Sequence, residues 1–427
     1  VTSPQIGTLQ LLPFRAVRYN TSVSDLAAVV APPYDVIDDS EQAALEAADP
    51  HNVVRLILPR DPGIPGVDRY SSAAQTFEQW LDDDTLLVED APALYVYQQS
   101  RAGTVLQRGL LGAVVMQPLD GGVILPHENV RTGPVEDRLA LMRAMRANPE
   151  PIFLLYDGGG AATVSSASAM TRAALISTLT TDGITHQLWA ITDPQELEEI
   201  AADLAGRHAM IADGHHRYTT YGYLRDELRA AGEGAGPWDA GLTLLVDASV
   251  AAPDIRAIHR VIAGLSLEQA LTKVGDDFRV VRLDADGTEV ERALTLLNER
   301  DSPAFLLGDG HSFALLLDPD PTRLAAARPV DRTPAWWALD ASIASFFVME
   351  ALFGVSDAAG QVEAEHDPAA ALRLAAGDAG IALFLKPAPL NGIVAVAEAG
   401  DAMPRKSTLF LPKPRSGMAM RAFRFER

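Results

Sequence analysis

A mixed α/β fold, of the α+β kind, is predicted by three observations. Strand-length runs of β-branched and aromatic residues alternate with helical patterns along the 427 residues, turn residues bound the runs, and no fixed-period repeat is visible. The expected architecture is a mixed-sheet core containing a strand–loop–helix site in residues 1–262. A second α/β lobe, 263–427, carries a basic tail that returns to that site.

In chain order, residues 91–98 and 110–116 read as an antiparallel pair turning at Ala102-Gly103, followed by a short apolar run at 123–125. A helix is expected from Pro134 to Ala147, capped by Thr132 or Gly133 and ended by Asn148-Pro149. Residues 151–156 read as a buried strand, and Gly158-Gly159-Gly160 marks a loop or helix start. Asp193-Pro194 opens a helix, 209–212 is a short strand entering Asp213-Gly214, and a helix follows over 218–231. After a loop at 232–237 and a strand at 242–246, helices are expected at 267–275, 288–299 and 334–353, with strands at 303–307, 312–317 and 380–385. Pro412 and Pro414 confine the stretch from Ser407 onward to an edge or a loop.

Composition narrows the chemistry. With no cysteine there is no thiolate, disulfide framework or cysteine-bound metal, so a metal would need oxygen or imidazole ligands. A hydrophobic fraction of 48% against 22% charged residues supports a sizeable core. Residues 1–7 lack a basic segment followed by an apolar one, and no stretch approaches the roughly 18 uninterrupted apolar residues of a membrane helix. A cytoplasmic protein without membrane contact is the expectation. The net charge of −22 argues against nucleic acid as a partner. That charge is uneven, because residues 405–427 hold seven Lys and Arg against Glu426 alone, making the tail +6 and the rest −28. A solvated tail or a subunit contact is the ordinary reading, and a homodimer is compatible with it.

The most informative motif is Asp213-Gly214-His215-His216-Arg217, where a strand gives way to a helix. Glycine permits the tight turn, and the helix start offers unpaired N–H groups and a positive dipole end, which together suit a phosphate. Adjacent histidines point in different directions, so the pair is a poor chelate. A second combination is Pro126-His127-Glu128 with Arg131 and Arg138 behind it. A carboxylate beside imidazole and guanidinium can deprotonate a hydroxyl while a phosphoryl group is held nearby. Asp35, after Pro32-Pro33-Tyr34, is a third candidate; Arg15, Asn52 and Arg55 belong to the same region. Lys406-Ser407-Thr408 joins a cation to two hydroxyls, in a chain whose lysines are only 273, 386, 406 and 413. Each of these also has a plain structural reading as a core, surface or turn residue. Trp336-Trp337 and Phe346-Phe347 read as core, and Gly158-Gly159-Gly160 lacks the Lys and Ser/Thr of a Walker loop.

The Asp-Gly-His-His-Arg unit resembles the phosphate-binding loop of the ParB/sulfiredoxin-like superfamily, which includes nucleotide hydrolases and free L-serine kinases. The resemblance implies that Gly214, His215, His216 and Arg217 meet phosphate and that Asp213 holds a histidine or Mg²⁺. A second resemblance spans nearly the whole chain. Pro13-Phe14-Arg15, Pro32-Pro33-Tyr34-Asp35, Asn52-Val53-Val54-Arg55, Pro126-His127-Glu128, Glu136-Asp137-Arg138-Leu139, Asn148 to Tyr156, His259-Arg260 and Met403-Pro404-Arg405-Lys406-Ser407-Thr408 look like a bacterial domain-of-unknown-function family, number 1015.

Together these imply a phosphotransferase that moves a phosphoryl group from ATP or ADP, with Mg²⁺, to a small hydroxylated metabolite such as free L-serine. Glu128, with His127, or else Asp35 would act as base, beside Asp213. Arg131, Arg138, Lys406, Ser407 and Thr408 would hold phosphate; Arg15, Tyr34, Asn52 and Arg55 would hold the acceptor. A phosphohydrolase and a non-catalytic nucleotide sensor are the alternatives.

Overall fold

The computed structural model describes residues 7–283, 290–301, 303–356 and 360–426. Residues 1–6, part of the expectation about a leader, 288 and 289 at the head of an expected helix, and Arg427 of the basic tail lie outside the described residues. Two compact units divide the chain. One is Val1–Pro126 with Val130–Pro253 and Pro412–Arg427; the other is His127–Asn129 with Asp254–Leu411. The expected division after residue 262 therefore falls inside the second unit. The reason is strand His259–Ile262, which pairs with Val362–Glu365 and Ile381–Phe384 and cannot be parted from them.

The first unit is built on a nine-stranded mixed sheet. Its order runs Ile124–Leu125, Ala209–Asp213, Ile152–Tyr156, Ala240–Asp247, Thr104–Val115, Leu94–Arg101, Ile184–Ile191 and Ile176–Leu179, with Leu11–Leu12 also on Thr104–Val115. Ala209–Asp213 is parallel to Ile124–Leu125 and antiparallel to Ile152–Tyr156, which is in turn parallel to Ala240–Asp247. All five residues of Ile152–Tyr156 and all eight of Ala240–Asp247 are buried, as in strands covered on both faces. The expected hairpin is present: Leu94–Arg101 pairs antiparallel with Thr104–Val115, and Ala102 and Gly103 turn with positive φ.

Helix Thr132–Met145 starts two residues before the expected Pro134, with Arg131 as its cap residue in extended backbone. It stops at Arg146, whose φ is +48°, and Ala147–Asn148 then pairs with Arg421–Ala422 from the tail. Asp193 caps Pro194–Leu204 by accepting from the backbone N–H of Gln195 and Glu196, which answers the helix's unpaired donors. Helix His215–Ala230 begins three residues earlier than the pattern suggests, so His215, His216 and Arg217 form its first turn. It docks through Tyr221. The ring lies where a Cβ of Gly241 would stand, and its hydroxyl donates to the carbonyl of Glu150 at 3.0 Å.

The second unit holds a six-stranded sheet in the order Arg279–Leu283, Phe313–Leu317, Phe305–Gly308, Ile381–Phe384, His259–Ile262, Val362–Glu365, with every neighbouring pair antiparallel. Alternation sends Ile262, Leu307, Leu316 and Leu383 to one core and Val261, Leu306, Leu315 and Ala382 to another, so both faces are covered. The helix expected over 334–353 is broken. Pro334–Trp337 and Asp340–Ile343 are separated by Leu339 in extended backbone, and Ala344–Phe353 is wound as a π-helix. Trp336 and Phe347 are core residues, each 1% exposed. Helix 288–299 is described as Val290–Asn298, and the extended stretch near 407–412 is Leu409–Leu411, paired with Asp254–Arg256. Among the described residues no helix is long and apolar enough to cross a membrane.

Candidate functional site

The Asp-Gly-His-His-Arg turn leaves the end of strand Ala209–Asp213, where the register against Ile152–Tyr156 shifts between Ile211 and Asp213. Gly214 has φ +95°, and a Cβ there would lie 3.0 Å from Ile152 Cγ2, so both conformation and space favour glycine. Gly214, the residue ahead of the helix, has no side chain with which to cap it. His216 is half-buried, and its Nε2 accepts the backbone N–H of Arg131 at 3.0 Å, which requires that nitrogen to be unprotonated. Burial, and then the positive charge of Arg131, hold the His216 pKa below the ordinary imidazole value.

Arg217 is not presented to solvent. Its side chain is 2% exposed; Nη1 donates to the carbonyl of Pro151 at 2.5 Å and Nη2 to Asp213 Oδ2 at 2.6 Å. Burial works against its charge, but Glu150, Asp213 and Asp35 outweigh that and push the pKa up. Arg138 is likewise 2% exposed and binds Asp137 and the carbonyl of Ile57. The Tyr34 ring lies under both guanidinium groups, 4.1 Å from Arg138 Cζ and 5.9 Å from Arg217 Cζ. Burial is the main cause that pushes the Tyr34 phenol up to about 12, against the two arginines. The expectation that Arg217 and Arg138 hold phosphate directly is therefore corrected. Both serve as buried anchors, and His215, 6% exposed, is buried beside them.

Glu150 is a residue the sequence reading missed. It is 2% exposed, accepts the backbone N–H of Tyr34 and the hydroxyl of Ser416, each at 3.0 Å on Oε1, and lies 3.9 Å from Arg138 Nη1. Burial raises its pKa over the opposing pull of Arg217 and Arg138. Lys413 was also missed. Its ammonium lies 2.6 Å from Asp213 Oδ1 and 2.8 Å from Asp35 Oδ2, joining three distant stretches of chain at the turn. Burial opposes that charge as well, yet Asp213 and Asp35 hold the pKa above the ordinary lysine value.

The tail from 412 onward is woven into this unit rather than solvated. Arg415 binds Asp182 at 2.6 Å, Ser416 exchanges backbone hydrogen bonds with Ala31, and Arg421 donates to the carbonyls of Ala240 and Pro237. Exposed Asp182 accepts from Thr180, which with Tyr97 belongs to a buried group around His186: Tyr97 bonds Nδ1 at 2.8 Å and Thr180 bonds Nε2 at 3.0 Å. Burial, then Arg415, lower the His186 pKa to about 4, so it is neutral near pH 7. A lysine between two prolines was the available signal for Lys413, and a glutamate between two prolines for Glu150.

The remaining expected residues separate. Asn52 is fully buried and bonds the carbonyl of Ala28 and the N–H of Val54, so it is a turn anchor rather than an acceptor ligand. Arg55 donates to the carbonyl of Glu46, and Arg15 to that of Glu89. Tyr34 and the exposed Asp35 remain at the turn. His127, Glu128, Lys406, Ser407 and Thr408 belong to the second unit, where His127 Nε2 lies 3.2 Å from Thr408 Oγ1 and its carbonyl accepts the N–H of Met403. Buried Arg260 grips the carbonyls of Arg405 and Lys406, Lys406 has φ +51°, and Ser407 Oγ bonds the carbonyl of Pro404. That loop turns Arg405 and Lys406 outward, and both are exposed.

A resident Mg²⁺ at Asp213 does not fit. Among the described residues no group of three or more His, Asp or Glu is placed to hold a metal, and both Asp213 oxygens already hold cations.

The fold and turn define a mixed α/β protein with a glycine-led strand-to-helix site. The chain belongs to the family described as "Protein of unknown function (DUF1015)", which matches residues 11–342. No curated protein matches it. Among solved structures it is similar to a free serine kinase in complex with AMP, at 14% identity and TM-score 0.32, over 70% of this chain and 86% of that one. It is also similar to SbnI with a C-terminal truncation from Staphylococcus aureus, at 12% identity and TM-score 0.35, over 72% and 86%. A conserved hypothetical protein from Pyrococcus furiosus matches at 13% and 0.32, over 71% and 90%.

Proposed function

We propose that the protein is a phosphotransferase that passes a phosphoryl group from ATP or ADP to a small hydroxylated metabolite, with free L-serine as the first acceptor to test. The observation that carries this reading is the Gly214 turn itself. A glycine-led helix start there adjoins a neutral imidazole, exposed Arg131 and the Asp35–Lys413–Asp213 array. Such a turn suits phosphate oxygens in a way a surface ion pair does not.

In the proposed step the acceptor oxygen bonds to the terminal phosphorus as the bond to the donor's bridging oxygen breaks. The electron pair leaves on the shortened nucleotide and the hydroxyl proton passes to a carboxylate. Arg131 and His216 meet the phosphate oxygens, and Arg217 and Arg138 hold Asp213, Asp137 and Tyr34 in place from beneath. Asp35 is the candidate base within this turn; Glu128, in the second unit, is the other. Mg²⁺ accompanying the nucleotide would offset phosphate charge.

Incubation with ATP or ADP, Mg²⁺ and L-serine, read by phosphoserine formation, tests this reading. Phosphoserine with matching loss of donor supports it, whereas donor loss without an acceptor identifies a hydrolase. Stabilisation by nucleotide without any consumption identifies a sensor. Of Asp35→Asn and Glu128→Gln, the variant that loses roughly 10²–10⁴-fold in rate while still binding nucleotide marks the base.

A further inference from the structure

Asp35 and Asp213 come from well-separated stretches of the first unit's sequence, yet one point lies within hydrogen-bond distance of a carboxylate oxygen of each. Two carboxylates converging on one point at a phosphate-binding turn would ordinarily hold a divalent cation together with the ligand's oxygens. Here that point is Lys413 Nζ.

The lysine is aimed by its surroundings. Proline on both sides restricts the backbone of residues 412–414, and the Lys413 carbonyl accepts from Gln99 Nε2 at 3.1 Å. Ser416 is tied in both directions to Ala31, and Arg415 to Asp182. The side chain is only 10% exposed, so its charge is sheltered from solvent rather than dispersed into it. An ammonium has three donors and the two carboxylates account for two of them. Lys413 thus brings to the turn a nearly buried ammonium with one donor beyond its two carboxylate contacts.

We propose that Lys413 is the resident cation of this site, tethered in the position a divalent metal would take between Asp35 and Asp213, and that its remaining donor is offered to an anionic oxygen of the ligand. The ligand class, a phosphate-bearing metabolite, rests on the phosphotransferase reading; the occupation of the cation position does not.

Two measurements separate these parts. Mn²⁺ uptake is followed by electron paramagnetic resonance without nucleotide, and ADP binding is followed by calorimetry in EDTA. The wild-type chain should take up no Mn²⁺ at the turn. Lys413→Met should bind one per chain, and adding Asp213→Asn should abolish that. In EDTA the wild type should bind ADP, Lys413→Met roughly tenfold more weakly, with Lys413→Arg lying between. One Mn²⁺ per wild-type chain, lost in Asp213→Asn, overturns the proposal, as does a Lys413→Met protein that folds and behaves as wild type in both assays. If Lys413→Met does not fold, Lys413→Gln replaces it and the wild-type Mn²⁺ result still decides. Mn²⁺ uptake confined to the Lys413 variants, with no nucleotide bound by any protein, supports the cation assignment and overturns the phosphotransferase reading.

Discussion

At the Gly158–Gly160 turn the backbone N–H of Gly159 lies 3.4 Å from Asp247 Oδ2 and that of Ala162 lies 3.0 Å from Asp203 Oδ2. At the Gly214 turn the adjacent carboxylate, Asp213, faces Arg217 and Lys413. Both turns lead from a strand of the same sheet through glycine into a helix. In the first, the protein's own carboxylates occupy the donors that an anion would seek. In the second they are turned away toward cations. Whether a glycine-led helix start is a finished cap thus depends on where the protein's aspartates point, which local sequence does not reveal.

The strongest way to break this comparison is to remove the buried arginine. Arg217→Met leaves Glu150 and Asp213 without their buried partner and should cost about 3–5 kcal/mol in urea unfolding. Arg207→Met, acting on Asp203 at the other turn with a guanidinium 19% exposed, should cost about 1 kcal/mol or less. Equal losses would mean that both turns are ordinary caps.

Glycine replacement sharpens the contrast next. A Cβ at Gly158, where φ is +65°, would overlap the Asp247 carboxylate, so Gly158→Ala should cost about 2–3 kcal/mol. Gly214→Ala meets only Ile152 and the Arg217 side chain at 3.0 Å and beyond, and should cost about 1–2 kcal/mol. Thermal melts of the two variants check the order.

The smallest effect is an opposite response to acid. Burial holds the Glu150 carboxyl above its unfolded value of 4.5, so its contribution is complete below that pH and is lost as pH rises through the folded value. For Asp247, burial pushes upward, but Ser249 and Thr163 hydrogen bonds bring the carboxyl below 3.8. Its contribution is present above that pH and is lost as pH falls through the folded value. Urea stabilities from about pH 3 to 7 should show the wild-type advantage over Glu150→Gln growing toward acid and that over Asp247→Asn shrinking.

Much of the fold was legible because periodicity is local. The runs at 91–98, 151–156 and 242–246 became strands, and Asp193-Pro194 opened a helix, since turn and cap chemistry acts within a few residues. The helix expected over 334–353 failed where Leu339 takes extended backbone, a break that apolar patterning does not signal. The unit boundary was misplaced because His259–Ile262 finds its partners about a hundred residues downstream, beyond the range of any local pattern. At the candidate site, the glycine turn at Gly214 was readable from the motif. Lys413 and Glu150 were not, because their meaning lies in Asp35, Asp213, Tyr34 and Ser416, each brought near by folding. Arg217 was named for the right turn, but burial inverts its role from presented cation to internal anchor.

The first unit is discontinuous, and that sets a schedule. Asp254–Leu411 must be synthesised before Pro412–Arg427, which at roughly 5–20 residues per second takes on the order of ten to thirty seconds. Throughout that interval Asp35 and Asp213 exist without Lys413, Glu150 without Ser416, and strand Ala147–Asn148 without Arg421–Ala422. The segment that carries this buried ammonium therefore reaches the first unit only after the whole of Asp254–Leu411 has been made, and until then the turn holds two carboxylates without the cation that joins them.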